Sequence, residues 1–549
     1  MPPVEVPAIA VLPFENVGRK GGEEFANGMT EEITNRLSAL HGLRVIGKKS
    51  AKSYAGTTKT PKEIASELGV KYVLTGTVRW DKAADGKVLI RVSPSLVRTD
   101  DATQLWAEAY QTVLSGMFDV QAKVASEVAT VLNITLLEPD KTALASRPTD
   151  NLDAYGLYLQ AKALLENAQR PAQIREAIAL LEKATAADPK FLLGWTTLSI
   201  ANTELYWSRG DLKPARLEQA KAALDKAAAL DYNNPDFHIA RGVYLFHGNH
   251  DYDGALSEFA LAEAARPNDN TIQTYKSVIA RRQGKWNEAV ASQKKSLALE
   301  PRNGAIALDI AGTLLFMRRY AEAEEYADRG MALEPDVADG PMIKSIIAAS
   351  VRGNLPESIQ HLRDAVPRVQ PHSALTLLLL DRTWPAVEDP SLRRMLLESQ
   401  YSPDLERDTF YAQKALLFVY TGETVRAKAY ADTAVIAATS TITNSPETPQ
   451  AYVNLAISNA ILGNRSEALR ALAQADEAIP RSKDAYLAAE RDDARPMLFM
   501  LLGDQEAALT AIEQQVKTIG KLTPSVVRLD PIYAPLRADP RFQRLIQGS

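Results

Sequence analysis

The spacing of the histidines offers one place where this sequence could bind a metal ion. Of the six histidines, His247 and His250 lie close together and are followed directly by Asp251. Imidazole nitrogens and carboxylates are typical zinc ligands. The segment falls, however, in a predicted turn between two helices, where polar residues are common for structural reasons. We therefore predict no metal site, and cysteine, the other usual ligand, does not occur in the sequence.

A second candidate is phosphate binding at residues 42–48, which begin with Gly42 and end with Gly47 and Lys48. This spacing is that of a phosphate-binding loop, but Lys49 stands where a Ser or Thr should bind magnesium. The residues in between, 43–46, form a predicted strand rather than a loop that cradles phosphate. The HExxH and GxSxG motifs of zinc proteases and serine hydrolases do not occur either. The sequence therefore predicts no catalytic residue and no cofactor, and we expect a protein that is not an enzyme.

Residues 21–25 spell GGEEF, which resembles the signature of diguanylate cyclases. In that family the motif lies on a β-hairpin deep inside a larger domain, with metal-binding acidic residues well upstream. Here it stands near the beginning of the chain and continues into a helix that carries Phe25 and Met29. We predict a glycine turn followed by an acidic first helical turn, which suits the helix dipole. The acidic pair Glu31-Glu32 on the same helix is expected on a solvated face.

The elements that would position any site are mostly helices in a repeated pattern. Pro267, Pro301 and Pro335 recur with a period of 34 residues, and each follows a helix rich in small residues. Proline cannot continue a helix, so each one closes a helix pair and begins the next. Small residues at fixed positions before each proline allow two helices to approach closely. These positions are Ala255 and Ala262, Ala289 and Ser296, and Ala323 and Gly330.

This period and these small positions resemble the tetratricopeptide repeat. The resemblance implies an all-α, right-handed superhelical solenoid whose groove binds a peptide or protein partner. We predict a first part of the array at 151–370, a second part at 405–520 and a C-terminal cap at 521–549. The period breaks at 371–404, which is either a degenerate repeat or a hinge.

Residues that face the groove can be proposed from their register on the first helix of each repeat. Six aromatic and basic side chains satisfy this criterion, and tyrosine and arginine are frequent anchors at protein interfaces. They are Tyr244, Tyr275, Arg281, Arg282, Phe316 and Arg318. The alternative interpretation is that the aromatic side chains belong to the core and the arginines only face solvent.

A different kind of domain precedes the repeats, at residues 5–137, and a linker is predicted at 138–150. The continuous apolar run AIAVLPF at 8–14 indicates a strand that is covered on both faces. The following signals give the order β-α-β-α-β-β-β-α, with Asp85-Gly86 as a turn that joins two antiparallel strands. We predict an α+β fold, in which helices pack on a small mixed sheet.

Five segments of this domain resemble the TolB N-terminal-like domain of bacterial signalling proteins: AVLPFENVG, GMTEEITNRLSAL, LRVIGKKSAKSYAG, LGVKYVLTGTVRW and QLWAEAYQ. In that family the domain commonly lies between an upstream kinase, nucleotide cyclase or winged-helix module and C-terminal tetratricopeptide repeats. The resemblance implies a non-catalytic scaffold or sensory region of a signalling protein. The alternative function is sensing of a small molecule or a cell-envelope fragment by the N-terminal domain.

Composition and charge argue against several classes of protein. A net charge of −5 without a basic stripe argues against a general nucleic-acid binder. No apolar run reaches the roughly 18 residues that span a membrane, and the first residues do not form a signal peptide. We expect a soluble protein, cytoplasmic if Met1 is the native start. It is expected to be extracytoplasmic (periplasmic) if the chain is a fragment of a membrane-anchored signalling protein.

Overall fold

The computed structural model of this protein describes residues 6–18, 22–82, 88–113, 116–166, 171–208, 211, 213–368, 384–401, 406–446, 448–478 and 480–547. Contacts between residues divide the chain into two units, which are described separately below. Unit 1 comprises residues 1–279 and 294–303, and unit 2 comprises residues 280–293 and 304–549.

A seven-stranded mixed sheet belongs to unit 1. Its strands are β1 (Ala8–Val11), β2 (Glu15–Val17), β3 (Arg44–Ile46), β4 (Tyr72–Lys82), β5 (Val88–Arg98), β6 (Gln104–Ala107) and β7 (Tyr110–Val113). The order is β3-β1-β4-β5-β6, with β2 paired to β4 and β7 paired to β5. Strand β1 is parallel to β3 and β4, whereas β4 and β5 are antiparallel. The predicted α+β class with a mixed sheet is confirmed.

Helices cover both faces of this sheet. They are α1 (Glu23–Ser38), α2 (Lys48–Lys52), α3 (Pro61–Leu68) and α4 (Met117–Val131). Helices α1 and α4 pack on the face that carries Ile9 and Val11, and α3 packs on the face that carries Ala8 and Ala10. Because both faces of β1 are buried, its sequence is a continuous apolar run.

The structure differs from the sequence prediction after β5 and in the predicted linker. In place of the last single strand of the predicted order, the structure has two short strands, β6 and β7, which pair with different parts of β5. The predicted linker at 138–150 contains helix α5 (Glu138–Ala145). Its first turn is held by the buried Asp140, whose carboxylate accepts a hydrogen bond from the Leu137 backbone nitrogen at 2.8 Å. The predicted turn at Asp85-Gly86 lies outside the described residues.

The helices that follow in unit 1 pack in consecutive pairs. They are α6 (Leu152–Glu166), α7 (Pro171–Ala187), α8 (Leu192–Trp207), α9 (Pro214–Leu230), α10 (Pro235–Val243) and α11 (Tyr252–Ala265). A π-helical segment, Tyr244–Gly248, continues α10. Two further helices, α12 (Asn270–Arg282) and α13 (Trp286–Leu299), contribute residues to both units.

The remaining helices belong to unit 2. They are α14 (Gly304–Phe316), α15 (Tyr320–Leu333), α16 (Asp339–Ser350), α17 (Leu355–Ala365), α18 (Trp384–Val387), α19 (Pro390–Glu398), α20 (Arg407–Tyr420), α21 (Thr424–Asn444), α22 (Pro449–Leu462), α23 (Arg465–Ala478), α24 (Ala485–Leu501), α25 (Gln505–Gln515), α26 (Pro524–Leu529) and α27 (Pro540–Gln547), with a 3₁₀ helix at Pro531–Leu536. The predicted run of paired helices is confirmed. Its small positions lie at helix contacts, where Ala323 and Gly330 of α15 are buried.

The break in the period at 371–404 is only partly described. Helices α18 and α19 have 4 and 9 residues, so they are shorter than the repeat helices around them. Residues 371–383 and 402–404 lie outside the described ranges, and the alternatives of a degenerate repeat and a hinge both stand. Among the helices that the structure describes, none combines the length and apolar character needed to cross a bilayer.

Candidate functional site

A cleft at the carboxyl ends of β1 and β3 is the strongest candidate for a small-ligand site. The connection that leaves β1 forms α1 on one face of the sheet, and the connection that leaves β3 continues through α2 to α3 on the other face. Ligands of open α/β sheets bind at such points, where connections from neighbouring strands diverge. A cavity of about 130 Å³ lies here, between the end of β1 and helices α1, α2 and α6.

The lining of this cleft combines apolar and charged side chains. The apolar part consists of Val11, Pro13, Gly28, Ala51, Leu159 and Ala163. The charged part consists of Glu31, Lys48, Lys52, Lys162 and Glu166. A mostly apolar concavity with a few polar groups that converge on it is the usual composition of a small-molecule site.

Ion pairs fix most of the charged groups in the cleft. Lys48 Nζ lies 2.6 Å from Glu31 Oε2 and 2.7 Å from Glu166 Oε1. Lys162 donates a hydrogen bond to the other carboxylate oxygen of Glu31. Burial by itself would raise the pKa of Glu31, but the charges of Lys162 and Lys48 outweigh it and hold the pKa below its ordinary value. Glu31 is therefore ionised at neutral pH and is the centre of this network.

A second cluster lies on the repeat helices of unit 1 and includes one of the predicted groove residues, Tyr275. Its hydroxyl donates a hydrogen bond to Glu204 Oε1 at 2.9 Å, and His247 Nδ1 lies 2.9 Å from the same oxygen. The imidazole of His247 stacks on the indole of Trp207, with ring centroids 4.3 Å apart. His247 belongs to the π-helical segment, and such segments are frequent at functional sites.

The neighbourhood of His247 and His250 gives no support to a metal site. His247 pairs with Glu204 and stacks on Trp207, and His250 has a left-handed backbone with φ of 54°. Within the described ranges, no group of three or more His, Asp or Glu side chains is placed to hold a metal ion.

The predicted groove residues Arg281 and Arg282 form ion pairs within unit 2. An Arg281 guanidinium nitrogen lies 2.7 Å from the Asp309 carboxylate, and its guanidinium lies over the ring of Tyr486. An Arg282 nitrogen lies 2.5 Å from the buried carboxylate of Asp484. Both arginines are therefore held by side chains of their own chain.

The remaining predicted groove residues also contact their own chain. Phe316 is buried against Trp286 and Tyr486. Arg318 donates hydrogen bonds to the backbone carbonyl oxygens of Gln515 at 3.1 Å and Leu522 at 2.9 Å, and to that of Val516. The half-buried Tyr244 packs against a core cluster of unit 1 that contains Leu224 and Phe237. Partner binding by these six residues stays a prediction.

Sequence reasoning missed the charged network of the cleft. Glu31 was expected on a solvated face, but it is largely buried between two lysines. Its position could have been suspected from Lys48, which follows the predicted strand at 43–46 after a single glycine, because ligands often bind at the carboxyl ends of such strands. Lys162 and Glu166 carry no local signal, because they come from a helix of the repeats.

Comparison with known proteins identifies a section of the helical part of the chain. Residues 280–349 match the family model described as tetratricopeptide repeat. The chain carries tetratricopeptide repeats. These residues include α14 and α15, whose small-residue packing is described above. The match to the family model thus falls in the most regular part of the array.

A curated relative shares part of this chain. "Putative adenylate cyclase 3" of Rhizobium meliloti (strain 1021) is 32% identical over 251 residues, which are 44% of this chain and 41% of that protein. The chain thus spans less than half the length of the relative that it matches.

Two solved structures illustrate the extent of structural likeness. PilW, a type IV pilus biogenesis factor, is 19% identical with a TM-score of 0.32, over 39% of this chain and 92% of PilW. The APC/C hetero-tetramer Cut9–Hcn1 is 12% identical with a TM-score of 0.39, over 71% of this chain and 63% of that chain. At these scores the likeness carries no statement about partners or activity.

Proposed function

We propose that this chain is a non-catalytic interaction and sensory region of a bacterial signalling protein, and that its repeats bind a protein or peptide partner. The run of tetratricopeptide helix pairs carries this proposal. Such arrays use one side of each helix to pack on the next repeat and leave the inner helices for a partner. The name of the curated relative, a putative adenylate cyclase, supports the signalling context.

The cluster around Glu204 is the part of the repeats that best supports partner binding. The Trp207 side chain is half-buried, and the Glu204 side chain is 29% exposed. A partly exposed indole, fixed by stacking on His247, supplies a rigid apolar surface beside a carboxylate. Tryptophan is among the residues that most often dominate binding energy at interfaces. The expected partner therefore combines an apolar side chain with a basic or hydrogen-bond-donating group.

Partner binding can be tested with the full chain as bait. A photo-reactive residue introduced at Ser208, next to Trp207 and exposed, should cross-link a protein that mass spectrometry identifies. Trp207→Ala should then weaken the affinity for that protein by about tenfold or more. Tyr232→Ala is the matched control, because Tyr232 is an exposed aromatic side chain in the turn before α10. If Trp207→Ala and the control bind the partner equally well, the cluster around Glu204 does not take part in partner binding.

The non-catalytic part of the proposal has its own measurement. The purified chain should not convert ATP to cyclic AMP in the presence of magnesium or manganese. In our proposal any such activity resides in a separate catalytic module of the signalling protein. Turnover by this chain that survives further purification would contradict the proposal.

A second candidate function is sensing of a small molecule by the N-terminal α/β domain. The cleft at the ends of β1 and β3 favours it, because helix α6 of the first repeat pair also lines the cavity. A ligand held there would contact the sheet domain and the repeats at once. Its binding should raise the unfolding temperature of the full chain, since a ligand that binds only the native state stabilises it. A broad metabolite screen without any thermal shift would count against this function.

A further inference from the structure

The size of the cleft at the ends of β1 and β3 limits its ligand. The cavity volume is about 130 Å³. An engineered apolar cavity of about 150 Å³ in another protein accepts benzene, which has six non-hydrogen atoms. A ligand of roughly that size fills the cavity, whereas a whole nucleotide or peptide is too large to lie within it.

The charges of the lining residues determine which sign of charge the ligand should carry. The charged residues of the lining are three lysines, Lys48, Lys52 and Lys162, and two glutamates, Glu31 and Glu166. The ion pairs described above join the two carboxylates to Lys48 and Lys162. Within the described part of the chain, Lys52 makes no ion pair with either carboxylate. The lining therefore has one positive charge in excess, which favours a ligand with a single negative charge.

The apolar residues of the lining determine the rest of the ligand. Val11 and Pro13 come from the end of β1, and Leu159 and Ala163 come from α6. Gly28 allows α1 to approach α6 closely, since a Cβ on it would lie 3.1 Å from Leu159 Cδ1. A lining that combines apolar side chains with lysines suits a molecule with a short carbon chain and one acidic end.

We propose that this cleft binds a small aliphatic monocarboxylate of about six non-hydrogen atoms. Its carboxylate pairs with Lys52 and its carbon chain lies against Val11, Pro13 and Leu159. This inference rests on the second candidate function, sensing by the N-terminal domain, and names its ligand class. Because α6 lines the same cleft, occupancy strengthens the contact between the sheet domain and the first repeat.

The test uses the full chain and butyrate, which has the expected size, charge and carbon chain. Calorimetry and thermal unfolding at constant ionic strength should show saturable binding and a raised unfolding temperature. The comparison probes are butan-1-ol, which lacks the charge, butylamine, which carries the opposite charge, and inorganic phosphate, which lacks the carbon chain. All three should bind at least about tenfold more weakly than butyrate.

Three variants locate the binding. Lys52→Gln should weaken butyrate binding by about tenfold or more, because a charge-assisted contact is lost. Lys62→Gln removes the same charge from an exposed position of α3 outside the lining, and it should bind butyrate as the wild type does. Ala163→Phe fills the cleft without a change of charge and should abolish binding. Circular dichroism and the unfolding temperature without ligand show whether each variant is folded.

The outcomes separate the ligand class from the sensing function. Equal butyrate binding by Lys52→Gln and Lys62→Gln, or by Ala163→Phe and the wild type, would overturn the proposed site. Stronger binding of butylamine, butan-1-ol or phosphate than of butyrate would overturn the ligand class but leave sensing in place. If none of the four probes binds, the proposal that the ligand is a monocarboxylate is wrong. The sensing function itself then depends on the broad metabolite screen described above.

Discussion

The carboxylate of Glu300 accepts a hydrogen bond from the backbone nitrogen of Ser50 at 2.6 Å. Its other oxygen accepts one from the backbone nitrogen of Lys49 at 3.1 Å. The backbone nitrogen of Gly47 also donates to the Leu299 carbonyl oxygen at 2.8 Å. These bonds join helix α2 of the sheet domain to the end of a repeat helix within unit 1. The two parts of unit 1 are therefore held together by specific polar contacts as well as by apolar packing.

We expect Glu300→Ala to lower the free energy of unfolding by about 1–3 kcal/mol, because two backbone donors lose their acceptor. Glu300→Gln keeps one acceptor oxygen and should cost less. Denaturation in urea measures both effects. Glu288→Ala, at an exposed position of α13, should change stability by less than about 0.5 kcal/mol. A loss for Glu300→Ala no larger than that of this control would contradict the role of the carboxylate.

The contrast between Pro301 and Glu300 shows how far the sequence alone could predict this structure. Pro301 marks a repeat boundary, which periodicity predicts because helix spacing and proline chemistry are local properties. Glu300, its neighbour, contacts a residue 250 positions away in the chain. No local pattern encodes such a pair. The helices and the mixed sheet were therefore predictable, whereas the contacts between the sheet domain and the repeats were not.

Glu31 should matter for stability as the shared partner of Lys48 and Lys162. Glu31→Gln leaves two lysines without their carboxylate, and we expect a loss of about 1–3 kcal/mol at neutral pH. This is less than the about 3–5 kcal/mol of a fully buried pair, because both lysines are partly exposed. Glu166→Gln breaks one ion pair at a 36% exposed side chain and should cost less than about 1 kcal/mol.

The effect of Glu31→Gln should also depend on pH. The pKa of Glu31 is lowered in the folded protein from its ordinary value of 4.5, so the unfolded chain takes up the proton first as the pH falls. The stability that the ionised group contributes is thus present above pH 4.5 and is lost as the pH falls through the folded pKa. Urea denaturation at several pH values should show that the free energies of unfolding of the wild type and Glu31→Gln become equal at acidic pH. A constant difference down to the lowest pH would contradict the ion pairs.

In the cleft too, residues next to a sheet strand could be predicted from sequence, whereas residues supplied by a distant helix could not. Lys48 follows β3 at the edge of the sheet where ligands bind, so sequence could have singled it out. The two residues that α6 supplies, Lys162 and Glu166, lie on a helix whose pattern indicates only a repeat. For the predicted groove arginines, the residue was identifiable from sequence but its contacts were not. Arg318 was identifiable as a side chain able to bind a partner, but the carbonyl oxygens that it contacts lie about 200 residues further along the chain.

Lys414 should give the protein a stability that rises with pH in the alkaline range. Its ammonium group is buried and donates hydrogen bonds to the carbonyl oxygens of Leu396 at 2.6 Å and Leu397 at 3.0 Å. Burial, with a smaller effect of the nearby Arg426 charge, lowers the pKa of Lys414 from 10.5 to about 8. Between these values the unfolded chain binds more protons than the folded protein, so raising the pH favours folding.

Lys414→Met tests this linkage. The free energy of unfolding of the wild type should rise between pH 8 and pH 10 relative to that of the variant, because only the wild type has this titrating group. Lys428→Met, at an exposed position of α21, should follow the wild-type pH dependence. If the free energies of unfolding of the wild type and Lys414→Met change with pH in parallel, Lys414 has the same pKa in the folded and unfolded states and the proposed linkage is wrong.

Two glycines of the repeats should respond in opposite directions to the same substitution. A Cβ on Gly330 would lie 2.5 Å from Leu308 Cγ and 3.1 Å from the Gly304 carbonyl oxygen, so alanine forces α14 and α15 apart. Alanine gains about 1 kcal/mol of helix propensity over glycine, but overpacking costs about 1–3 kcal/mol. We expect Gly330→Ala to lower the free energy of unfolding by about 1 kcal/mol.

At Gly312 of α14, a Cβ would meet no heavy atom of the described residues within 4 Å apart from its chain neighbours and the adjacent backbone of its own helix. Gly312→Ala should therefore raise the free energy of unfolding by about 0.5–1 kcal/mol through helix propensity alone. The two variants have the same change in composition and differ only in the space around the new methyl group, so urea denaturation of both isolates the packing effect. Stabilisation by Gly330→Ala comparable to that by Gly312→Ala would mean that α14 and α15 separate without cost. The small residue at position 330 would then have no packing role in the repeat.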